Sequence, residues 1–385
     1  MTNDSHAKDT RFTHLGRPAA GLGTSVSHPV TRASTLLFEK AEDLYRTDIR
    51  GYGRHGTSVH DALAELFTEL ESGVGTVLYP SGVAALTGPI LSILKPGDHV
   101  LLTDSAYGPT RYFCQTFLKR YGVETELYDP HIGADIASLI RDNTSLILLE
   151  SPGSLTFEIQ DIPAIASAAK AKGVTTLIDN TWSAGLTFNP LPLGIDISVH
   201  AATKYFGGHS DIMYGAAVFA DDVLFQKAKL TAKQLGNASS PDDAYQILRG
   251  FRTVLPRFRQ QEATALSLAK WLMTRDEIQT VLHPAVTDHP DHELWKRDFT
   301  GGACLFACVF QPLSVDAVHQ FINGLQLFGI GYSYGGFESL AIHCDPQLKR
   351  SHADKLGGPL IRFACGLESE IDLKNDIEQS LEAVF

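Results

Sequence analysis

Lys204 stands in Ala201-Ala202-Thr203-Lys204-Tyr205, at the end of a strand-like run over 197–201. In an open α/β sheet, ligands bind beyond the carboxyl ends of the strands. A lysine amine in that place can do proton-transfer chemistry once its pKa is lowered, whereas an isolated lysine simply points into solvent. Four further features weigh against the bland reading. Asp179 ends the apolar run in Leu177-Ile178-Asp179-Asn180-Thr181-Trp182, and a carboxylate there is costly to bury without a partner. A pyridinium N–H is such a partner, and an anionic acid beside it keeps the ring protonated and able to draw electrons; a helix cap or turn is the alternative. Ser81-Gly82-Val83 lies at a strand-to-helix turn, where outward-facing N–H groups and the helix dipole suit a phosphate, although many such turns carry Ser-Gly. Tyr107, in Asp104-Ser105-Ala106-Tyr107, is placed either to stack on a planar ligand or to sit half-buried in its loop. Arg362 lies within the apolar Leu360-Ile361-Arg362-Phe363. A guanidinium binds a carboxylate in a bidentate fork, so its partner is a substrate carboxylate or a structural acid.

The elements that must position these residues follow from periodicity. Residues 57–250 alternate between helical and strand-like segments: helices over 59–70, 81–94, 110–121 and 161–172, and strands over 76–79, 100–103, 146–150, 176–179, 197–201 and 216–219. That alternation argues for an α/β domain with a mostly parallel sheet and helices on both faces. Residues 251–385 read as a smaller α/β domain, with helices over 255–271 and 370–383 and strands over 305–310 and 360–364. Residues 1–56 are polar and rich in Gly, Pro and Ser, with little helical periodicity. They read as an extended arm whose Phe38, Leu44 and Tyr45 need something to pack on, such as a neighbouring subunit.

The chain has 385 residues and a formal net charge of −12, with 44% hydrophobic and 20% charged residues. Such acidity makes nucleic acid or an anionic membrane a poor partner. No run of about 18 apolar residues or basic-then-apolar leader occurs, which points to the cytoplasm. The five cysteines are Cys114, Cys304, Cys308, Cys344 and Cys365, an odd number without a disulfide pattern. Cys304 and Cys308 share one face if both lie on a strand; they read as small buried hydrophobes, not a metal pair. His60, His343 and His352 lack metal-ligand spacing, and no metal is expected. His209, in a Gly-Gly-His-Ser-Asp loop, reads as structural. Gly51–Gly56 follows no strand and is no dinucleotide fingerprint.

Several segments together resemble the Cys/Met-metabolism pyridoxal-phosphate (PLP) enzymes of fold type I, nearest its bacterial β-lyases. They are 52–57 (Tyr-Gly-Arg-His-Gly-Thr), 150–154 (Glu-Ser-Pro-Gly-Ser), 178–182, 202–211, 295–301 (Trp-Lys-Arg-Asp-Phe-Thr-Gly), 335–340 (Gly-Gly-Phe-Glu-Ser-Leu) and Ile361-Arg362. The resemblance spans nearly the whole chain. It implies that Lys204 carries the cofactor as a Schiff base and shuttles protons, that Asp179 pairs with the pyridine nitrogen, and that Tyr107 stacks on the ring. It implies that Gly82, Val83 and Thr203 hold the phosphate, and that Tyr52 and Arg54 reach the phosphate of a neighbouring subunit's cofactor. It also implies that Arg362, helped by Ser333, binds the carboxylate of an amino-acid substrate. A homo-oligomer follows: a dimer with shared sites, assembled into a tetramer.

Within that family, γ-acting members often carry a Glu just before the Ser-Leu-Gly-Gly segment. Here the stretch is Tyr332-Ser333-Tyr334-Gly335-Gly336, with Tyr332 in the Glu position, which resembles the β-lyases. The expected reaction is β-elimination from an L-cysteine S-conjugate, L-cystathionine foremost, to a thiol, pyruvate and ammonia. A γ-lyase, γ-synthase or sulfhydrylase is the alternative, and a non-catalytic binding protein of the same fold a more distant one. Tyr334 stands where bacterial β-lyases usually have Trp, so Tyr332 and Tyr334 are the residues expected to shape the distal substrate pocket.

Overall fold

The computed structural model describes residues 6–353 and 355–385. The larger sheet contains β1 (Gly75–Tyr79), β2 (His99–Thr103), β3 (Glu124–Tyr128), β4 (Thr144–Glu150), β5 (Thr175–Asp179), β6 (Ile197–His200) and β7 (Gly215–Phe219), in the spatial order β1-β7-β6-β5-β4-β2-β3. β7 runs antiparallel to both β1 and β6. All other neighbouring strands are parallel. A parallel strand is covered on both faces and reads as a continuous apolar run, which is why β2 is buried at all five positions. β3 escapes that pattern. It is the edge strand, its Glu124 and Glu126 pair with Arg141, and its half-polar sequence gives no strand signal.

Helices pack on the sheet where their caps start them. α1 (Lys8–His14) precedes α2 (Ser58–Glu71), which begins with a reciprocal cap: the Thr57 N–H donates to His60 Nδ1 at 3.0 Å. α3 (Gly82–Ile93) begins where Ser81 Oγ accepts from the Ala84 N–H at 3.1 Å, a contact of the kind worth about 1 kcal/mol. α4 (Gly108–Tyr112) continues as a wider turn over Phe113–Leu118, and α5 (Ile162–Ala171) and α6 (Asp222–Gln234) complete the layers. α7 (Pro241–Phe251) lies against α2 and leads into α8 (Val254–Leu272).

The second sheet is antiparallel, in the order β10-β11-β9-β8, built from β8 (Ile278–Leu282), β9 (Leu305–Phe310), β10 (Leu340–His343) and β11 (Leu360–Ala364). α8, α9 (His292–Asp298), α10 (Val315–Gly324) and α11 (Glu370–Glu382) accompany it. Cys304 and Cys308 are both buried as small hydrophobes, but in different cores. Cys304 lies just before β9 and joins the core of the larger sheet, where its Sγ accepts from the Tyr205 hydroxyl at 3.1 Å. Cys308 packs in the separate core of the second sheet with Phe306 and Phe310. The period-two argument needs both residues inside the strand, and Cys304 is outside it.

The N-terminal region also differs from a featureless arm. α1 docks on α7: the Phe12 ring meets Phe251 edge-on at 5.2 Å, and Arg252 Nη1 donates to the Phe12 and Leu15 carbonyls, both at 2.6 Å. Beyond it the chain is extended until α2, interrupted by short turns and one bridge between Thr35 and Tyr52. Leu22, Leu37 and Tyr45 are exposed there.

A buried acid ties the sheet to its helical layer. Glu71, the last residue of α2, is fully buried and accepts from Asn180 Nδ2 (2.8 Å), Ser198 Oγ (2.8 Å) and His200 Nε2 (2.5 Å). Removing it leaves the buried Ser198 hydroxyl and His200 Nε2 without their acceptor and Asn180 Nδ2 with the Phe188 carbonyl alone. Glu71→Ala is expected to cost about 3–5 kcal/mol, read as a lowered Tm in thermal unfolding; a Tm within a degree of the parent would contradict this account of the network.

Candidate active site

The carboxyl ends of β2, β4, β5 and β6 lie side by side, and each delivers one chemically capable residue. Asp179 is the last residue of β5, in register with Glu150 at the end of β4. Lys204 follows β6 by four residues, in a turn closed by the Gly208 N–H on the Lys204 carbonyl at 2.8 Å. Tyr107 follows β2 by four residues, and its N–H donates to Glu150 Oε2 at 2.6 Å.

Glycines let three segments close on this point. A Cβ on Gly82 would meet the Ala201 Cβ at 2.5 Å, so the start of α3 presses on the end of β6, three residues before the lysine. Gly335, at φ +75°, lies so close to Tyr205 that a Cβ would reach its backbone nitrogen at 2.9 Å. That approach brings the 332–336 loop of the second sheet over the lysine. Lys204 Nζ donates to Ser333 Oγ at 3.0 Å and sits 5.2 Å from the centre of the Tyr334 ring. Arg362, on β11, donates through Nη2 to the Ser333 carbonyl at 3.2 Å, while its buried Nε has no partner among the described residues.

Burial sets the electrostatics. Desolvation first and the Arg362 charge second bring the Lys204 pKa down from 10.5 to about 8, with Asp179 partly offsetting them. Asp179 is pushed up by burial, against hydrogen bonds from Thr181 and the charges of His200 and Lys204. Glu150 rises well above the usual carboxylate range, first through burial and then through Asp179. Tyr107 is raised for the same reasons, burial first, then Asp179 and Glu150, which keeps its phenol protonated near neutrality.

The residues fit PLP. Both Thr181 contacts reach Asp179 Oδ1, at 3.0 Å from its N–H and 2.6 Å from its hydroxyl, leaving Oδ2 without a partner among the described residues and open to a ring N–H. At the start of α3 the Ser81 side chain takes the Ala84 N–H, and the Gly82 and Val83 N–H groups remain open for a phosphate. A buried amine with a lowered pKa suits an aldehyde, and the unpartnered Arg362 Nε suits a carboxylate.

The expected residues are not all in one place. Lys204, Asp179, Tyr107, Gly82, Ser333, Tyr334 and Arg362 converge. Val83 is partly exposed beside Gly82. The Thr203 hydroxyl is engaged with Tyr214, accepting from its N–H at 2.9 Å and donating to its carbonyl at 3.2 Å. Tyr332 is 77% exposed. Tyr52 and Arg54 contact one another, guanidinium over ring at 5.1 Å, on the extended N-terminal segment. His209 is exposed, with Nδ1 2.8 Å from the Gly207 carbonyl. Glu150 was no site candidate, yet it carries the signal that marks Asp179: an acid closing an apolar strand.

An amine, an acid, an open helix start and an arginine arranged around the strand ends of this sheet define a PLP-dependent enzyme of fold type I. The chain belongs to the Cys/Met metabolism PLP-dependent enzymes, matching that family over residues 9–382. It is 47% identical over 383 residues to a putative cystathionine beta-lyase of Rhizobium johnstonii, covering 97% of this chain and 96% of that one. It is 42% identical over 392 residues to the cystathionine beta-lyase of Haemophilus influenzae, covering 97% and 98%. A crystal structure of cystathionine gamma synthase from Xanthomonas oryzae pv. oryzae in complex with cystathionine superposes with a TM-score of 0.91 at 29% identity, over 99% of this chain and all of that one.

The lowered lysine pKa is directly measurable. In cofactor-free protein, labelling of Lys204 by an amine-directed reagent is expected to rise with a midpoint near pH 8. The neutral amine appears only as pH climbs through that value. Arg362→Ala removes a repelling cation and is expected to move the midpoint upward; a midpoint above pH 10 in the parent protein would refute the burial argument.

Proposed function

We propose that this protein is a carbon–sulfur lyase that cleaves the Cβ–S bond of an L-cysteine S-conjugate, with L-cystathionine as its principal substrate. The observation that carries the reading is the desolvated Lys204 amine, within one hydrogen bond of Ser333 and flanked by Asp179 and Arg362. The names of its relatives support the choice of cystathionine, and Tyr332 in place of an acid supports β- over γ-chemistry.

When bound, PLP supplies an aldehyde that takes up the substrate amine and a ring that accepts the electron pair freed at Cα. The chain does the rest. Asp179 accepts the ring N–H and keeps it protonated. Gly82 and Val83 hold the phosphate through their backbone N–H groups. Arg362 binds the substrate α-carboxylate beside Ser333, which orients Cα toward Lys204. The Lys204 amine, tuned to about 8, takes the Cα proton and returns one to the departing sulfur. Tyr107 stacks on the ring, and its protonated phenol is available to the same sulfur. Tyr334 packs beside the lysine and narrows the space for the distal half of the substrate. With cystathionine and one water, the products are homocysteine, pyruvate and ammonia, a step of methionine biosynthesis.

The working unit is a dimer with shared active sites, assembled into a tetramer, in the cytoplasm. The exposed Leu22, Leu37 and Tyr45 and the mutual pairing of Tyr52 and Arg54 support a second copy that covers the N-terminal segment and receives those two side chains at its phosphate. Among the described residues no helix is long and apolar enough to cross a membrane.

Incubated with L-cystathionine, the PLP-loaded enzyme is expected to release pyruvate and homocysteine in equal amounts. Formation of 2-oxobutyrate and cysteine as the main products would instead assign γ-elimination and overturn this reading.

A further inference from the structure

Asp104 has no part in the chemistry above, yet its carboxylate is among the most heavily bonded in the fold. It lies one residue past β2 and three before Tyr107, and is 1% exposed. Its Oδ2 accepts from the N–H groups of Ser351 (2.7 Å) and His352 (2.8 Å) and from Arg350 Nε (3.1 Å). Its Oδ1 accepts from Arg111 Nη2 at 3.0 Å. Arg350 also pairs with Glu158 at 2.7 Å, and Arg111 donates to the Lys349 carbonyl. Two acids and two arginines therefore balance in the buried cluster. Burial acts to raise the Asp104 pKa, but the His352 and Ser351 amides and the Arg350 charge outweigh it and hold the group below the usual range.

Residues 349–352 belong to the connection between β10 and β11. Its base is closed where the Cys344 N–H meets the Leu360 carbonyl at 2.8 Å and Asp345 Oδ1 accepts from the Leu360 N–H at 2.9 Å. Arg362 stands on β11 opposite Ile342 of β10. One carboxylate thus joins the turn that carries Tyr107 to the hairpin that carries Arg362.

We propose that Asp104 is a positioning residue whose carboxylate latches the β10–β11 connection to the Tyr107 turn and thereby fixes where Arg362 meets the substrate α-carboxylate. The inference rests on the reading of Arg362 given above. Asp104→Asn keeps the size of the side chain and one amide acceptor while removing the charge that holds both arginines.

The experiment compares inhibition of the PLP-loaded enzyme by L-norvaline and by butylamine, which differ only in the α-carboxylate. The ratio of the two inhibition constants reads how well that carboxylate is held. Hydrogen bonds to charged groups are strong enough that Asp104→Asn is expected to shrink the ratio about tenfold and to raise KM with kcat changed less than about threefold. Amide exchange at Ser351 and His352 is expected to accelerate with and without cofactor. Arg362→Ala is run beside it. If Arg362→Ala leaves the ratio intact, the carboxylate reading fails and the latch with it. If Arg362→Ala collapses the ratio while Asp104→Asn leaves it within about twofold, the latch alone is wrong. Should Asp104→Asn not fold, Arg350→Gln removes one partner only; an unchanged ratio there overturns the proposal equally.

Discussion

An ammonium and two carboxylates, Lys204, Asp179 and Glu150, share a desolvated space at the ends of neighbouring strands, and the rest of the site depends on that arrangement. Water would leave each group near its ordinary pKa. Burial moves the amine down and the acids up, so each becomes easier to discharge and more eager for a specific partner. The amine acquires the reactivity of a base close to neutrality. Asp179 keeps an open oxygen that a ring N–H can satisfy. Glu150 spends one oxygen on the Tyr107 N–H and so holds the aromatic turn beside the pair.

Keeping such groups dry requires close backbone approach from three directions. Gly82 brings the start of α3 onto β6, Gly335 brings the loop of the second sheet onto Tyr205, and a Cβ on Gly215 would strike the Ser81 carbonyl at 2.2 Å. Side chains at these positions would hold the segments apart and admit solvent. Behind the strands, Glu71 gathers Asn180, Ser198 and His200 into one hydrogen-bonded cluster. In front of them, Asp104 binds the second sheet's hairpin to the carboxyl end of β2. The catalytic geometry is therefore braced from the core and from the cleft by separate buried acids.

Much of this was legible in the chain itself, and the reasons differ by residue. Asp179 and Lys204 each follow an apolar run, and a charged group closing a buried strand is a local signal. Arg362 stood out as a charge inside an apolar strand. β3, β8 and β10 were not legible: β3 and β8 are edge strands whose outward positions are polar, such as Glu124, Glu126 and Thr280, and β10 is only four residues long. Cys304 lies one residue outside the strand read over 305–310, so the shared-face argument does not reach it. The Asp104 cluster was beyond any local reading, because its partners Arg350, Ser351 and His352 lie some 246 to 248 residues away. Tyr52 and Arg54 were identified by family resemblance, and in a single chain their side chains pair with each other.

The central claim is that the Lys204 amine holds the cofactor. Treating the PLP-loaded protein with borohydride, digesting it and sequencing the peptides by mass spectrometry tests this directly. The account predicts a phosphopyridoxyl group on Lys204 in the parent protein and none in Lys204→Ala. The modification found on another lysine, or its absence from a protein that is fully loaded and active, would contradict it.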